Sequence, residues 1–190
     1  MVGKINRRLT TILAADIVSY SKHMSTDEEG TLETLKRHMT AIEPIITAQN
    51  GRIFDTAGDA FLAEFKSTVE AVRAAIQIQE AVEISNQSPD VDPRLNFRIG
   101  INVGDIIDED GRLYGDGINV ACRLEGLANP GNICVSGSVY ELVKNKLSYR
   151  FHAMGEQHVK NIAEPISTFS LLSDYDANAL NHLEVAEASN

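Results

Sequence analysis

Two carboxylates in this chain stand where carboxylates can do chemistry. Asp16 closes the run Thr10-Thr11-Ile12-Leu13-Ala14-Ala15-Asp16, and Asp59 lies in Thr56-Ala57-Gly58-Asp59-Ala60-Phe61. Each sits where an apolar, strand-like run gives way to small residues or glycine, which predicts a strand end for one and a tight turn for the other. Two carboxylates so placed, without His or Cys companions, favour hard cations with oxygen ligands, and Mg²⁺ is the usual partner when phosphates complete its shell. The stretch from Tyr114 to Arg123 adds an amide, Asn119, and a guanidinium, Arg123, four residues apart. On a helix from about Gly117 these share one face and can act on one ligand. Two metal ions beside a nucleoside triphosphate can activate an attacking hydroxyl and neutralise the leaving pyrophosphate. A guanidinium would then stabilise charge at the α-phosphate and an amide would orient the sugar. Plainer readings stand beside these. Asp16 could cap the next helix or pair with a basic side chain. Asp59 could be only a turn residue, and Asn-x-x-x-Arg is common on surface helices.

The elements that must position these groups follow from the apolar spacing. Residues 8–18 read as a buried strand, and a helix is expected from about Thr26 to Ala48, with Asp27, Glu28 and Glu29 at its N-terminal dipole. Strands at 52–56 and 60–65 form a hairpin with Asp59 at its tip. A second helix spans about 68–85. The cleanest strand follows, with Leu95, Phe97, Ile99, Ile101 and Val103 alternating with Asn96, Arg98, Gly100, Asn102 and Gly104. The two glycines on its polar face point either to a ligand near the backbone or to a tightly packed helix. Short strands at 105–107 and 112–114, a helix at 117–126 and a strand at 132–135 come next. They are followed by a helix near 138–144 and strands around 149–153, 157–159 and 166–172. This order predicts an α+β fold: a ferredoxin-like, split βαβ sheet with helices on one face, plus a smaller C-terminal α/β subdomain. Residues 1–172 form the expected domain. The acidic tail 173–190 is expected to be a loosely attached helix or disordered.

Composition narrows the partners. Lys and Arg number 17 against 27 Asp and Glu, a formal net charge of −10, and no basic run could track a phosphate backbone, so nucleic acid is disfavoured. The two cysteines, Cys122 and Cys134, are too few for a disulfide framework and are expected to be buried small hydrophobes of a cytoplasmic protein. His23, His38, His152, His158 and His182 show no zinc-type pairing. No apolar run approaches the roughly 20 residues that span a bilayer, and no signal pattern precedes the first strand, so a membrane segment is not expected.

Four ordered runs carry a resemblance. Ala-Asp-Ile-Val-Ser-Tyr-Ser (15–21), Gly-Asp-Ala-Phe-Leu-Ala-Glu-Phe (58–65), Arg-Ile-Gly-Ile-Asn-Val-Gly (98–104) and Tyr-Gly-Asp-Gly-Ile-Asn-Val-Ala-Cys-Arg-Leu (114–124) resemble the class III adenylate/guanylate cyclase catalytic domain across about residues 8–172. The resemblance implies the class III nucleotidyl cyclase fold and a head-to-tail homodimer with two active sites shared across its interface. Asp16 and Asp59 of one subunit, with the Ile17 carbonyl, would hold two Mg²⁺, for which Mn²⁺ could substitute. Asn119 and Arg123 of the other subunit would position the ribose and stabilise the transition state. Backbone amides at about 17–21, including those of Val18, Ser19, Tyr20 and Ser21, would cradle the β- and γ-phosphates, with Lys160 as a further phosphate contact. The product would be a 3',5'-cyclic nucleotide for intracellular signalling.

The chain departs from the family where the base is read. Adenylate cyclases of this class carry a lysine where this chain has Asp55, and aspartate or threonine where it has Arg112. The pair could form a spacing salt bridge, could read guanine, or could leave adenine to backbone groups; hydrogen-bond inventory favours guanine, because a carboxylate only accepts and adenine N1 is also an acceptor. ATP is the preferred substrate because adenylate cyclases predominate in the class, with GTP as the alternative. Two other readings remain. One is a diguanylate cyclase, since Ala57-Gly58-Asp59-Ala60-Phe61 resembles that family's Gly-Gly-Asp-Glu-Phe. The other is a non-catalytic nucleotide-binding or dimerisation module.

Overall fold

The computed structural model describes residues 5–158, 162 and 164–171. Its centre is a pair of long strands, β1 (Ile5–Ile17) and β4 (Phe97–Glu109), antiparallel from Ile5 opposite Glu109 to Ile17 opposite Phe97. The short strand expected at 105–107 is therefore the continuation of β4. Its far end turns back at Gly111 (φ 86°) into β5 (Arg112–Tyr114). On the other flank of β1 lies β3 (Ala60–Phe65), and beyond it β2 (Gly51–Ala57). The order β2-β3-β1-β4, with every pair antiparallel, is the expected split βαβ arrangement.

Two helices join β1 to β2 where one was expected. α1 (Tyr20–Thr26) and α2 (Glu28–Ala48) are divided by Asp27, whose extended backbone breaks the first while its carboxylate accepts from the Gly30 amide at 3.0 Å to cap the second. α3 (Thr68–Asn86) joins β3 to β4. Alternate residues of β1, Leu13, Ala15 and Ile17, meet Ile42 and Ile46 of α2 and Val72 and Ile78 of α3 in the main core. Phe61, Phe65 and Phe97 fill the space between, all under 3% exposed.

The other face of the sheet is also covered. Ile12 and Ala14 pack with Ile106, Leu113 and Ala121, the last from α4 (Asp116–Leu127). The expectation of helices on one face thus holds for α2 and α3 and fails for α4. The near-continuous apolar run in β1 has this physical reason: a strand covered on both faces needs no polar alternation. The C-terminal elements β6 (Ile133–Ser136), α5 (Gly137–Val143), β7 (Phe151–Gln157) and β8 (Ile166–Leu171) form no separate subdomain. Their strands extend the same sheet in the order β4-β6-β8-β7, β6 running parallel to β4. One strand, β7, stands where two were expected at 149–153 and 157–159; its register shifts between Ala153 and Gly155, and Val159 lies outside the described residues. The tail 173–190 lies outside the described residues.

Candidate active site

The sheet register brings the two aspartates together. Ala15 pairs with Phe61 across β1 and β3, so two residues further on Ile17 faces Asp59 in the turn that Gly58 (φ 64°) makes possible. The Ile17 amide donates to Asp59 Oδ2 at 3.1 Å, which fixes the carboxylate beside the end of β1. Asp16 and Asp59 are both half-buried. Asp59 is accordingly more than a turn residue.

Asp16 does pair with a base. Arg98, directly opposite it in the β1/β4 register, donates from Nε to Oδ1 at 3.1 Å and from Nη2 to Oδ1 and Oδ2 at 3.0 and 2.9 Å. Glu125 of α4 stands on the other side of this guanidinium, its Oε1 3.0 Å from Arg98 Nε. That oxygen lies off the N–H direction and has no hydrogen-bond partner among the described residues. Burial, and then the neighbouring Asp16, raise the Glu125 carboxyl well above the usual carboxylate range. Burial alone would lower Arg98, but its bond to Asp16 and the surrounding carboxylates Glu125, Asp16 and Asp59 outweigh that and raise it. Arg98 and Glu125 were not singled out as site residues from the sequence. The signal was a charged residue on the polar face of the cleanest strand, and the open option of a basic partner for Asp16.

The polar-face glycines of β4 belong to a packed helix. A methyl group on Gly100 would overlap the Glu125 amide nitrogen and the Ala121 carbonyl oxygen, and one on Gly104 would come 3.0 Å from Gly117 Cα. α4 therefore rests on bare backbone, with Val120, Ala121 and Leu124 buried beneath it. Asn119 and Arg123 point the other way. Both are exposed, share one face and have no side-chain partner among the described residues. Cys122, expected to be buried, is exposed beside them, because position 122 falls on the outward side of this helix; Cys134 is buried as expected.

The remaining candidates are spread around this end of the sheet. Asp55 follows a bulge in β2, where the register shifts between Ile53 and Asp55. It lines a shallow cavity of about 190 Å³ with Ala15, Leu62, Cys122 and Glu125. Arg112 is exposed on β5, on the opposite flank of β1 and β4, and forms no ion pair with Asp55 within the chain. After β1, Ser19 adopts a left-handed conformation (φ 57°) and α1 begins at Tyr20. The Val18 amide is taken by the Asn96 carbonyl at 2.9 Å, and the Ile17 amide by Asp59. Of the amides expected to cradle phosphate, those of Ile17 and Val18 are thus already engaged within the chain, and a cradle would have to start at Ser19. Lys160 lies outside the described residues.

The donor set suits a hard cation. No three His, Cys, Asp or Glu side chains converge in ligating positions among the described residues, so the chain offers two carboxylates and leaves most of the shell to water and substrate oxygens. Mg²⁺ is bound in that manner when phosphates are present. Among the described residues no helix is long and apolar enough to cross a membrane.

Comparison with known proteins supplies the family. The Adenylate and Guanylate cyclase catalytic domain family matches residues 6–173. A Rhizobium meliloti (strain 1021) protein provisionally named adenylate cyclase 3 is 42% identical over 163 residues, covering 85% of this chain and 28% of that protein. The crystal structure of an adenylate/guanylate cyclase/hydrolase from Silicibacter pomeroyi superposes with a TM-score of 0.84 at 40% identity, covering 90% of this chain and all of that one. The adenylyl cyclase CyaB of P. aeruginosa shares the fold at a TM-score of 0.78 and 23% identity, with 91% of this chain and 98% of that one covered. The chain spans under a third of the length of its first curated relatives. Family match, relatives and fold agree with one another: this chain belongs to the adenylate/guanylate cyclase catalytic domain family.

Proposed function

We propose that the chain converts a nucleoside triphosphate, ATP in preference to GTP, to the 3',5'-cyclic nucleotide and pyrophosphate in an active site shared by two copies. The carrying observation is a division within one molecule. Asp16 and Asp59 are assembled at the end of β1, whereas Asn119 and Arg123 face outward from α4 with no partner among the described residues. A second copy in head-to-tail contact would bring the two halves together.

Asp16, Asp59 and the Ile17 carbonyl would hold two Mg²⁺, which when bound lower the pKa of the ribose 3'-hydroxyl and neutralise pyrophosphate. The amides of Ser19, Tyr20 and Ser21 would receive the β- and γ-phosphates. Arg98, already among these carboxylates, supplies a positive charge at this end of the sheet. Asn119 of the second copy would hold the ribose so that its 3'-oxygen approaches the α-phosphate in line. Arg123 would donate to the non-bridging oxygens as charge develops there. The preference for ATP rests on the adenylate cyclase name of the 42% identical relative. Asp55 and Arg112 would face the base, one from each subunit. The setting is proposed to be cytoplasmic, with the cyclic nucleotide as a signal.

Turnover with purified protein, Mg²⁺ or Mn²⁺, and ATP or GTP decides the activity. Cyclic AMP is the expected main product, and no cyclic product from either triphosphate at any metal would reject the proposal. Repeating the assay on Asp55→Lys tests the base pocket: a rise in the ATP/GTP ratio of kcat/KM is expected.

A further inference from the structure

The Arg98 guanidinium stands between two carboxylates and satisfies only one. Its three hydrogen bonds all go to Asp16, while Glu125 Oε1, 3.0 Å from the same Nε, receives none. A carboxyl oxygen left without a partner in a side chain only 13% exposed is costly and needs a reason. Packing does not supply it, because α4 is already seated by Gly100 and the buried Val120, Ala121 and Leu124. The resting arrangement also works against metal binding: Asp16 Oδ1 accepts twice from Arg98 and Oδ2 once, so a divalent ion taking Asp16 would meet the guanidinium's positive charge at close quarters. A guanidinium pushed off Asp16 by that charge needs another counter-charge.

We propose that Glu125 is a positioning residue that takes over Arg98 when a divalent cation takes Asp16, so that metal binding is an exchange of partners within the Asp16–Arg98–Glu125 triad. The inference rests on Asp16 being a metal ligand. Little movement is required: Nε is already at hydrogen-bonding distance from Glu125 and needs only a change of direction. Without Glu125 the guanidinium stays on Asp16 and competes with the metal.

The test is a Mn²⁺ titration without nucleotide, followed by the loss of the free-ion electron paramagnetic resonance signal. It compares wild type, Glu125→Gln, Arg98→Met and the double variant, each checked for folding by circular dichroism. Glu125→Gln is expected to weaken Mn²⁺ binding about 5- to 10-fold, and Arg98→Met to tighten it several-fold by removing the competitor. In the Arg98→Met background the Glu125→Gln substitution should change affinity by less than about 2-fold. The same loss in both backgrounds would mean that Glu125 acts on the ion directly, and would overturn the inference. So would no loss in Glu125→Gln alone. If Arg98→Met does not fold, Arg98→Gln serves as the background, since its amide can still donate to Asp16 but carries no charge to compete with the metal. Wild type that binds no Mn²⁺ would overturn the metal reading and this inference with it. Wild type that binds Mn²⁺ and turns over, beside an unaffected Glu125→Gln, would overturn this inference alone.

Discussion

The carboxylate end of β1 and the outer face of α4 handle polar groups in opposite ways. At the end of β1 three carboxylates and one guanidinium are crowded together, half-buried and bonded across strands that lie 82 residues apart in sequence. On α4, Asn119, Cys122 and Arg123 stand in the open. The first region has its chemistry built into its own fold. The second has geometry without a partner among the described residues, and its side chains cost the isolated chain little because water solvates them. Groups that complete their contacts within a chain should affect its stability, and groups that wait for a partner should affect only what happens after assembly.

The largest expected effect breaks the division at turnover. Asp59→Asn and Arg123→Ala should each lower kcat by about 10³-fold, in line with losing a charge that acts on the transition state. Mixed in equal amounts with free exchange of subunits, they should recover about a quarter of wild-type activity, because half of the dimers would carry one intact site. No recovery would mean that the two halves do not meet across an interface.

Stability should separate the regions next. Arg98→Met leaves Asp16, Asp59 and Glu125 without their cation and should cost on the order of 2–3 kcal/mol, less than a fully buried pair because the side chains are about a quarter exposed. Arg123→Ala should stay within about 0.5 kcal/mol of wild type. Urea melts at low salt measure both, and a comparable loss in Arg123→Ala would remove the contrast.

Acid should act from below the carboxylate end. His38 of α2 is 1% exposed, neither ring nitrogen has a hydrogen-bond partner among the described residues, and its ring lies 6.0 Å from Phe97. Burial, and then the nearby Arg37, drive its pKa from 6.5 to about 4. The neutral imidazole is thus favoured in the folded chain. Above pH 6.5 its contribution is complete; as pH falls the unfolded chain takes the proton first, and stability declines until about pH 4. Between pH 7.5 and 5 this should amount to about 2 kcal/mol, and His38→Leu should abolish that part of the pH dependence in thermal melts.

The smallest effect is a report on cover. Partial burial, and then Glu125, raise the Cys122 thiol, so Cys122 should react with a thiol reagent more slowly than a free thiol but in the folded chain, and Cys134 only on unfolding. A nucleotide analogue with Mg²⁺ should slow Cys122 several-fold if a second copy closes over α4. An unchanged rate would argue against that cover.

Much of this contrast was legible in the sequence, but unevenly. Asp16, Asp59 and the Asn119/Arg123 spacing are local signals: a strand that stops, a Gly-Asp turn, one helical repeat. The strand boundaries around them were close because period-two alternation is strong in β4. Arg98 and Glu125 were missed because their importance lies in pairings across the fold, and no local spacing announces that Arg98 will stand opposite Asp16. The placement of α4 was missed for a different reason. The unbroken apolar run in β1 already required cover on both faces, and the glycines at 100 and 104 left room for it, but neither fact says which helix provides it. The exposed Cys122 shows the limit of composition: cysteine is usually buried, and a residue beside Arg123 on the same helix faces outward regardless.

The seat of α4 on Gly100 has a mechanical consequence. A helix pressed against backbone, with no side chain between, transmits tilt along its length with little slack. Asn119 and Glu125 are about 9 Å apart along its axis, at 1.5 Å per residue. In a symmetric pair, each such helix would belong to both catalytic centres, lending Asn119 and Arg123 to one and Glu125 to the other. The two centres would then share a degree of freedom, and occupancy of one would be felt as a change of affinity at its twin.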